Sequence, residues 1–310
     1  MDFVSPVRRG SKSDTPLIAQ RVVEQLARDA AIEPLVSDQF SRQEFEFALA
    51  NSSNPIWVDD LSGRIRGHLY GATLNDSHYG CQTWTGPDGF SYEAPDVLDR
   101  LLKPACRSWR EQGSHAHLVW ALAGSGTEDW IERDYRILSV RGAAALDVRR
   151  EYTWPREYRV RRGTVTDLAT ALEFDHLIDR AQGVDPATLT HKQRSVNRAD
   201  LMELLDDPEC HYFLVDVDGQ SAAQCVTFPL PALRGNFANT LHIGSLAVRP
   251  EFRRRGIASM LIGDVLNDAL DAGFDYAEVR WHVDNESATS FWPALGFRPT
   301  YLQLRRPLED

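Results

Sequence analysis

The chain has 310 residues, 43% hydrophobic and 25% charged, a balance that suits a soluble globular protein and a length that suits two domains. Its formal net charge of -11 argues against nucleic-acid binding, which relies on a basic surface. No apolar run approaches a membrane span, and residues 1–14 lack the apolar core of a secretory signal, so a cytoplasmic protein without a membrane partner is expected. Cys81, Cys106, Cys210 and Cys225 form no C-x-x-C pair, which predicts buried small hydrophobes and no metal site.

Residues 1–15 are polar and unpatterned and read as an arm outside the fold. Leu17, Ile18, Val22, Leu26 and Ala30 recur at helical spacing and predict a helix over 16–31. Ser41 and Glu44 form a capping box that starts a second helix. Strands are predicted at 56–58, at 64–74 around Gly67 and Gly71, and at 80–84. A helix over 94–111 ends at Gly113, followed by a strand at 117–122, a short helix at 127–133 and a strand at 137–148.

Residues 151–157, broken by Trp154-Pro155, read as a linker between 1–150 and 158–310. A strand at 158–162, a helix from Thr166-Asp167 to about Arg180, a loop at 183–190 and a helix at 192–205 follow. Asp218-Gly219 between apolar runs predicts a hairpin of 211–217 with 222–228, stopped by Pro229-Leu-Pro231. Residues 241–248 form the next strand. The helix after it carries Ile257, Leu261, Ile262, Val265, Leu266 and Ala269 on one face and closes at Gly273. A strand over 276–283, a helix capped by Asn285 with Ala288, Phe291, Trp292 and Leu295 on its apolar face, and a strand over 298–304 complete the chain.

Strands and helices alternate while hairpins intervene, so the fold class is α/β with a mixed sheet. Both halves run the same order of elements. Trp130-Ile-Glu-Arg-Asp-Tyr-Arg136 aligns with Trp292-Pro-Ala-Leu-Gly-Phe-Arg298 at both ends, which reads as a tandem duplication with a diverged first copy; chance is the alternative on so short a stretch.

The chemistry concentrates in Leu246-Ala-Val-Arg-Pro-Glu-Phe-Arg-Arg-Arg-Gly-Ile-Ala258. A strand ends, a basic turn follows, and a helix opens behind Gly256. Backbone N–H groups, the helix dipole and the guanidinium groups of Arg253, Arg254 and Arg255 suit a pyrophosphate.

These residues resemble the GNAT superfamily of acyl-CoA-dependent N-acetyltransferases, whose signature Gln/Arg-x-x-Gly-x-Gly/Ala is matched by Arg253-Arg-Arg-Gly256-Ile-Ala258. Asn285-x-x-Ala288-x-x-Phe291-Trp292-x-x-x-Gly296-Phe297 resembles the family's second motif. The resemblance covers 158–310, and the first half only in element order. It implies two tandem GNAT-like domains, similar in layout to mycothiol synthase, of which only the second carries the CoA loop. It further implies acetyl-CoA as cosubstrate, a small primary amine as acceptor, and no metal. Leu246, Ala247 and Val248 would line the pantetheine arm, Arg253, Arg254, Arg255, Gly256, Ile257, Ala258 and Ser259 the pyrophosphate, and Asn285, Ala288, Phe291 and Trp292 the far wall. The Val248 N–H would be the oxyanion donor.

The sequence departs from the family in two places. Trp292 stands where many members carry an acidic Tyr, and the strand Leu241-His-Ile-Gly-Ser-Leu-Ala-Val248 has no carboxylate base. His242 is the best remaining base, with a strand histidine held by a neighbour as the equal alternative. Plain alternation puts His242 on the face of Gly244 and Leu246, and a bulge at Gly244 would reset that face. His282, Glu278 and Asp284 read as surface or capping residues, Lys192, Arg194 and Arg198 as a solvated helix face, and Trp281 and Trp292 as core. The rival reading is an acyl-CoA-binding protein without catalysis. An aminoacyl-tRNA-dependent transferase is disfavoured by the intact loop and the acidic balance.

Overall fold

The computed structural model describes residues 6–52, 54–76, 80–181, 191–230 and 237–308. The chain runs β1 (Val7–Arg9), α1 (Thr15–Ile32), α2 (Arg42–Ala50), β2 (Ile56–Leu61), β3 (Arg64–Tyr70), β4 (Ala72–Asp76), β5 (Gly80–Thr85), β6 (Phe90–Tyr92), α3 (Pro95–Glu111), β7 (Ala116–Leu122), α4 (Thr127–Ile131) and β8 (Arg136–Ala145). It continues with β9 (Tyr158–Arg162), α5 (Leu168–Ala181), α6 (His191–Asp206), β10 (His211–Val217), β11 (Gln220–Leu230), β12 (Thr240–Val248), α7 (Ile257–Asp271), β13 (Tyr276–His282), α8 (Glu286–Ala294) and β14 (Arg298–Pro307). The mixed α/β class is as the sequence predicts. Among the described residues, no helix is long and apolar enough to cross a membrane.

The chain forms two compact units that no single cut separates. One takes the chain up to Val140 and again from Pro299, and the other takes most of the chain between Arg141 and Arg298. The last strand therefore belongs to the first unit, where β14 pairs antiparallel with β7, Tyr301 opposite Leu122.

In the first unit, β1, β2, β3 and β6 form one sheet, and β4, β5, β7 and β14 lie in neighbouring order in another. The strand expected over 64–74 is thus two strands in different sheets. They part at Gly71, where a Cβ would come within 2.7 Å of Thr83 and 2.9 Å of the Thr85 hydroxyl. The expected apolar face of α3 is buried, with Leu98, Leu101 and Trp109 packed among Val119, Trp130 and Tyr135. On α1, Ile18, Val22 and Leu26 pack with Phe45 and Leu49 of α2. Leu17, expected on that face, is half exposed, and Ala19 and Asp29 turn inward instead.

The N-terminal arm is also corrected: β1 pairs with β2, Arg8 opposite Val58. What fastens it is ionic. Arg8 donates to Asp14 at 2.8 Å and to Asp60 at 2.7 Å, and the Asp14 carboxylate accepts from the Ser11 N–H at 2.7 Å. The second unit repeats this clasp. Arg161 reaches Asp167 at 2.9 Å and Asp216 at 2.6 Å, and Asp167 accepts from the Thr164 N–H at 2.9 Å. The sequences match at the same spacing, Arg8-Arg-Gly-Ser-Lys-Ser-Asp14 against Arg161-Arg-Gly-Thr-Val-Thr-Asp167. In each unit the arginine's hydrogen bonds lower the pKa of the first acid, Asp14 or Asp167.

The second unit orders its strands β13, β12, β11, β10, β9, with the end of β8 beside β13. All six expected apolar residues of α7 are buried. β11 runs on to Leu230 through Pro229, which was expected to stop it. β10 begins at His211 opposite Thr227, so Pro229 pairs only with Leu241 on its other side, and a missing N–H is tolerated there. Residues 151–155 have no regular structure, yet Tyr152 and Trp154 both donate to Asp264 on α7. Cys106 and Cys225 are buried, whereas Cys81 and Cys210 are half-buried. Arg198 is exposed, and the expected loop at 183–190 and the side chains of Lys192 and Arg194 lie outside the described residues.

Asp29 gives the fold a pH dependence. Its side chain is buried, one oxygen accepts from Gln25 at 2.7 Å, and burial pushes its carboxyl from 3.8 up to about 6. A carboxyl raised on folding favours the folded state most below its unfolded value, and that stability is lost as the pH rises through about 6. Asp29→Asn should therefore gain about 2 kcal/mol over the parent at pH 7 and almost nothing at pH 3.5. Urea denaturation at the two pH values checks this.

Candidate active site

The site begins where two parallel strands stop pairing. β12 and β13 are in register from Thr240 opposite Tyr276 to Ile243 opposite Val279, while both strands continue, to Val248 and His282. On its other edge β12 stays paired with β11 to its end, Val248 opposite Ala223. The Arg249 N–H donates to Ala222 at 2.9 Å. Alternation along an antiparallel ladder then turns the N–H groups of Val248 and Leu246 away from β11, toward the opening.

A bulge sets the faces of β12. Ser245 lies opposite Val226 and Ile243 opposite Thr227, which leaves Gly244 as the extra residue. Beyond it, His242 shares its face with Ser245 and Ala247, not with Leu246. Gly244 also fits closely under Phe228, whose ring edge would lie 2.8 Å from a Cβ. The Phe228 and His242 rings are 4.9 Å apart.

His242 has an acidic neighbour that the sequence did not reveal. Parallel pairing sets Glu278 beside it, and His242 Nδ1 lies 3.4 Å from Glu278 Oε1. That distance suits charge attraction and exceeds that of a strong hydrogen bond. Nδ1 is buried without a hydrogen-bond partner among the described residues. Glu278 is only 7% exposed, where a surface residue was expected; its other oxygen is 3.9 Å from Arg141 Nε. His282 is half-buried, and burial followed by the nearby Arg280 lowers its pKa. Asp284 is exposed.

The strand leads through Pro250–Phe252 into the basic turn and α7. Arg254 has φ 59° and Gly256 φ 77°, both left-handed, and together they reverse the chain into the helix. Met260 N–H donates to Gly256 O at 3.0 Å, so the N–H groups of Ile257, Ala258 and Ser259 precede the first intrahelical bond. The arginines divide their work. Arg253 Nε donates to Val248 O at 3.0 Å and Arg255 to Glu251 O at 2.9 Å, fixing the turn, while Arg254 has no partner among the described residues.

The second motif supplies mainly structure. Asn285 caps α8, its side chain accepting from Ala288 N–H at 3.1 Å. Trp292 is buried against Phe291 and Phe297, with ring centroids 5.0 and 5.3 Å away. Trp281 is likewise core, lying where a Cβ on Gly142 would come within 2.5 Å of its ring.

The paired and parting strands, the turn and the helix behind it are one continuous stretch, and that stretch matches a known family. Residues 175–297 match the model of the acetyltransferase (GNAT) family. Over these residues the chain is similar to GNAT acetyltransferases. The family implies acyl transfer from an acyl-CoA cosubstrate. The likeness in fold extends to the whole chain. A GCN5-related N-acetyltransferase from Sphaerobacter thermophilus is 17% identical, with 98% of this chain and 96% of that one covered at a TM-score of 0.65. A tandem GNAT protein from the clavulanic acid biosynthesis pathway is 13% identical, with 98% of each chain covered and a TM-score of 0.58. At these identities the likeness is one of fold, and that fold is the tandem GNAT arrangement. No curated protein matches the chain.

The bulge can be tested through its packing. Gly244→Val must displace Phe228 from its place beside His242, and should cost about 1–3 kcal/mol of stability in urea denaturation, the usual price of overpacking.

Proposed function

We propose that the second unit transfers an acetyl group from acetyl-CoA to the primary amine of a small molecule by direct attack. The observation that carries this reading is the parting of β12 from β13 next to a helix that opens with free N–H groups. The residues present fit the cosubstrate. Leu246, Ala247 and Val248 offer an unpaired strand edge to a pantetheine arm. Arg254 and the N–H groups of Gly256 to Ser259 face a pyrophosphate, with Arg253 and Arg255 bracing the turn. Ala288 and the cap residue Asn285 stand as the far wall. When bound, acetyl-CoA supplies a thioester carbonyl activated for attack by an amine.

The chain's own residues manage the proton. An ammonium ion must lose a proton before it can attack. Glu278, beside Nδ1, favours the tautomer with hydrogen there and leaves Nε2 of His242 as the basic nitrogen. The Val248 N–H is the oxyanion donor of this proposal. Trp292, buried in the core, has no acidic proton for the departing thiolate.

The sequence modules of this reading are 1–150, a linker at 151–157, and a catalytic 158–310. The first module takes no CoA. Only Glu93 and Ala94 separate β6 from α3, Pro95 opens that helix without an N–H, and the residue before the turn is an acid, Glu93, held by Arg21 and Arg64 where the second unit carries three arginines. The buried Trp292 favours one other reading, a protein that binds acyl-CoA without turnover.

Two measurements test the proposal. Gly256→Val forces a branched residue into φ 77° beside the proposed pyrophosphate. Coenzyme A affinity by calorimetry should fall at least about tenfold; an unchanged value would remove the cradle. His242→Ala should lower kcat about a hundredfold or more across a panel of amines while coenzyme A affinity holds. Glu278→Gln should lower kcat less and shift its pH profile. Full coenzyme A affinity in the parent with no turnover on any amine would establish the binding-only reading instead.

A further inference from the structure

The first unit contains a cavity of about 160 Å³, lined by none of the residues proposed for acyl transfer. It lies where the chain crosses from β5, which pairs in parallel with β7, to β6, which pairs with β3. Its walls include Phe90 and Tyr92 of β6, Trp120 of β7 and Tyr301 of β14. Asp29 of α1 and Asp129 of α4 also line it, and among the described residues no lysine, arginine or histidine does.

The acids differ in how they are held. Asp129 Oδ2 accepts from Tyr92 Oη at 2.9 Å. Asp29 is 4% exposed; Oδ1 accepts from Gln25 at 2.7 Å, and Oδ2 accepts no hydrogen bond among the described residues. Arg28, whose charge also acts on it, donates instead to the Gln25 side-chain oxygen at 3.1 Å. A carboxylate so largely desolvated, with one oxygen met by solvent alone, is costly to keep charged. Burial pushes this carboxyl up to about 6, so a protein under selection for stability alone gains by replacing it. A bound cation removes that cost by pairing with the open oxygen, and aromatic faces add cation–π attraction to a weakly hydrated head group. The volume suits a head group and is well below that of a drug-sized pocket.

We propose that this cavity binds a compact organic ammonium ion, seated among the rings of Phe90, Tyr92, Trp120 and Tyr301 with its charge against Asp29. Its lining residues are not those proposed for acyl transfer, and its occupancy is measured without turnover.

Calorimetric titration of the full chain with tetramethylammonium and with propylammonium tests the proposal, with tert-butanol as a neutral match in shape. Saturable binding of at least one ammonium is expected, with tert-butanol at least about tenfold weaker. Asp29→Asn should weaken ammonium binding at least about tenfold. Because that variant is expected to be more stable than the parent, unfolding does not explain the loss. Trp120→Leu, with its fold checked by circular dichroism, should weaken binding severalfold, and His242→Ala should leave it unchanged. Equal binding of tert-butanol, full affinity in Asp29→Asn, or no saturable binding of either ammonium overturns the proposal.

Discussion

The site depends on a ladder that ends early. Two parallel strands share hydrogen bonds from Thr240 to Ile243 and no further, although each continues for several residues. Backbone groups left open there need a partner, and a strand edge next to a helix N-terminus is suited to an extended, negatively charged ligand. The bulge at Gly244 falls where the pairing with β13 stops, and it keeps β12 on β11 to its end. The same extra residue sorts His242 from Leu246, so the two side chains leave one strand on opposite faces.

The two copies resolve this constraint differently. In the second, one strand bulges and remains whole. In the first, the corresponding stretch breaks between β5 and β6 at Gly86–Gly89, where Gly89 N–H donates to Gly86 O at 2.9 Å. The first copy's helix then starts behind an acid and a proline rather than behind three arginines and a glycine. The two units thus differ at these few residues, an open basic turn in one and an acidic and aromatic cavity in the other, while the arginine clasp at the entry to each is the same.

Much of this was legible in the sequence. Helices with a single apolar face, such as α3 and α7, declare themselves because 3.6-residue spacing is local information. The basic turn was equally plain, since its residues are contiguous. Glu278 was not, because what buries it is its place opposite His242 across a strand pair, and no spacing within 276–283 encodes that register. The break at Gly71 was hidden for the same reason: its cause is the hydroxyl-bearing pair Thr83 and Thr85 on another strand. The arm at 6–14 is a different kind of omission. Arg8-Arg-Gly-Ser-Lys-Ser-Asp14 is polar, but its twin at 161–167 was available as a signal that a short polar run can be a structural element.

The membership of β14 in the first unit bears on how the chain matures. Synthesis proceeds from the N-terminus, and domains commonly fold in that order. Here the strand beside β7 is supplied by 299–307, which follow the whole second unit in the chain. The first unit must wait with Leu118, Trp120 and Leu122 lacking their final neighbour, while the second has most of its strands in hand. The opening unit therefore closes only after the second has been made, and a chain that stops before 299 loses part of its opening unit rather than of its second one.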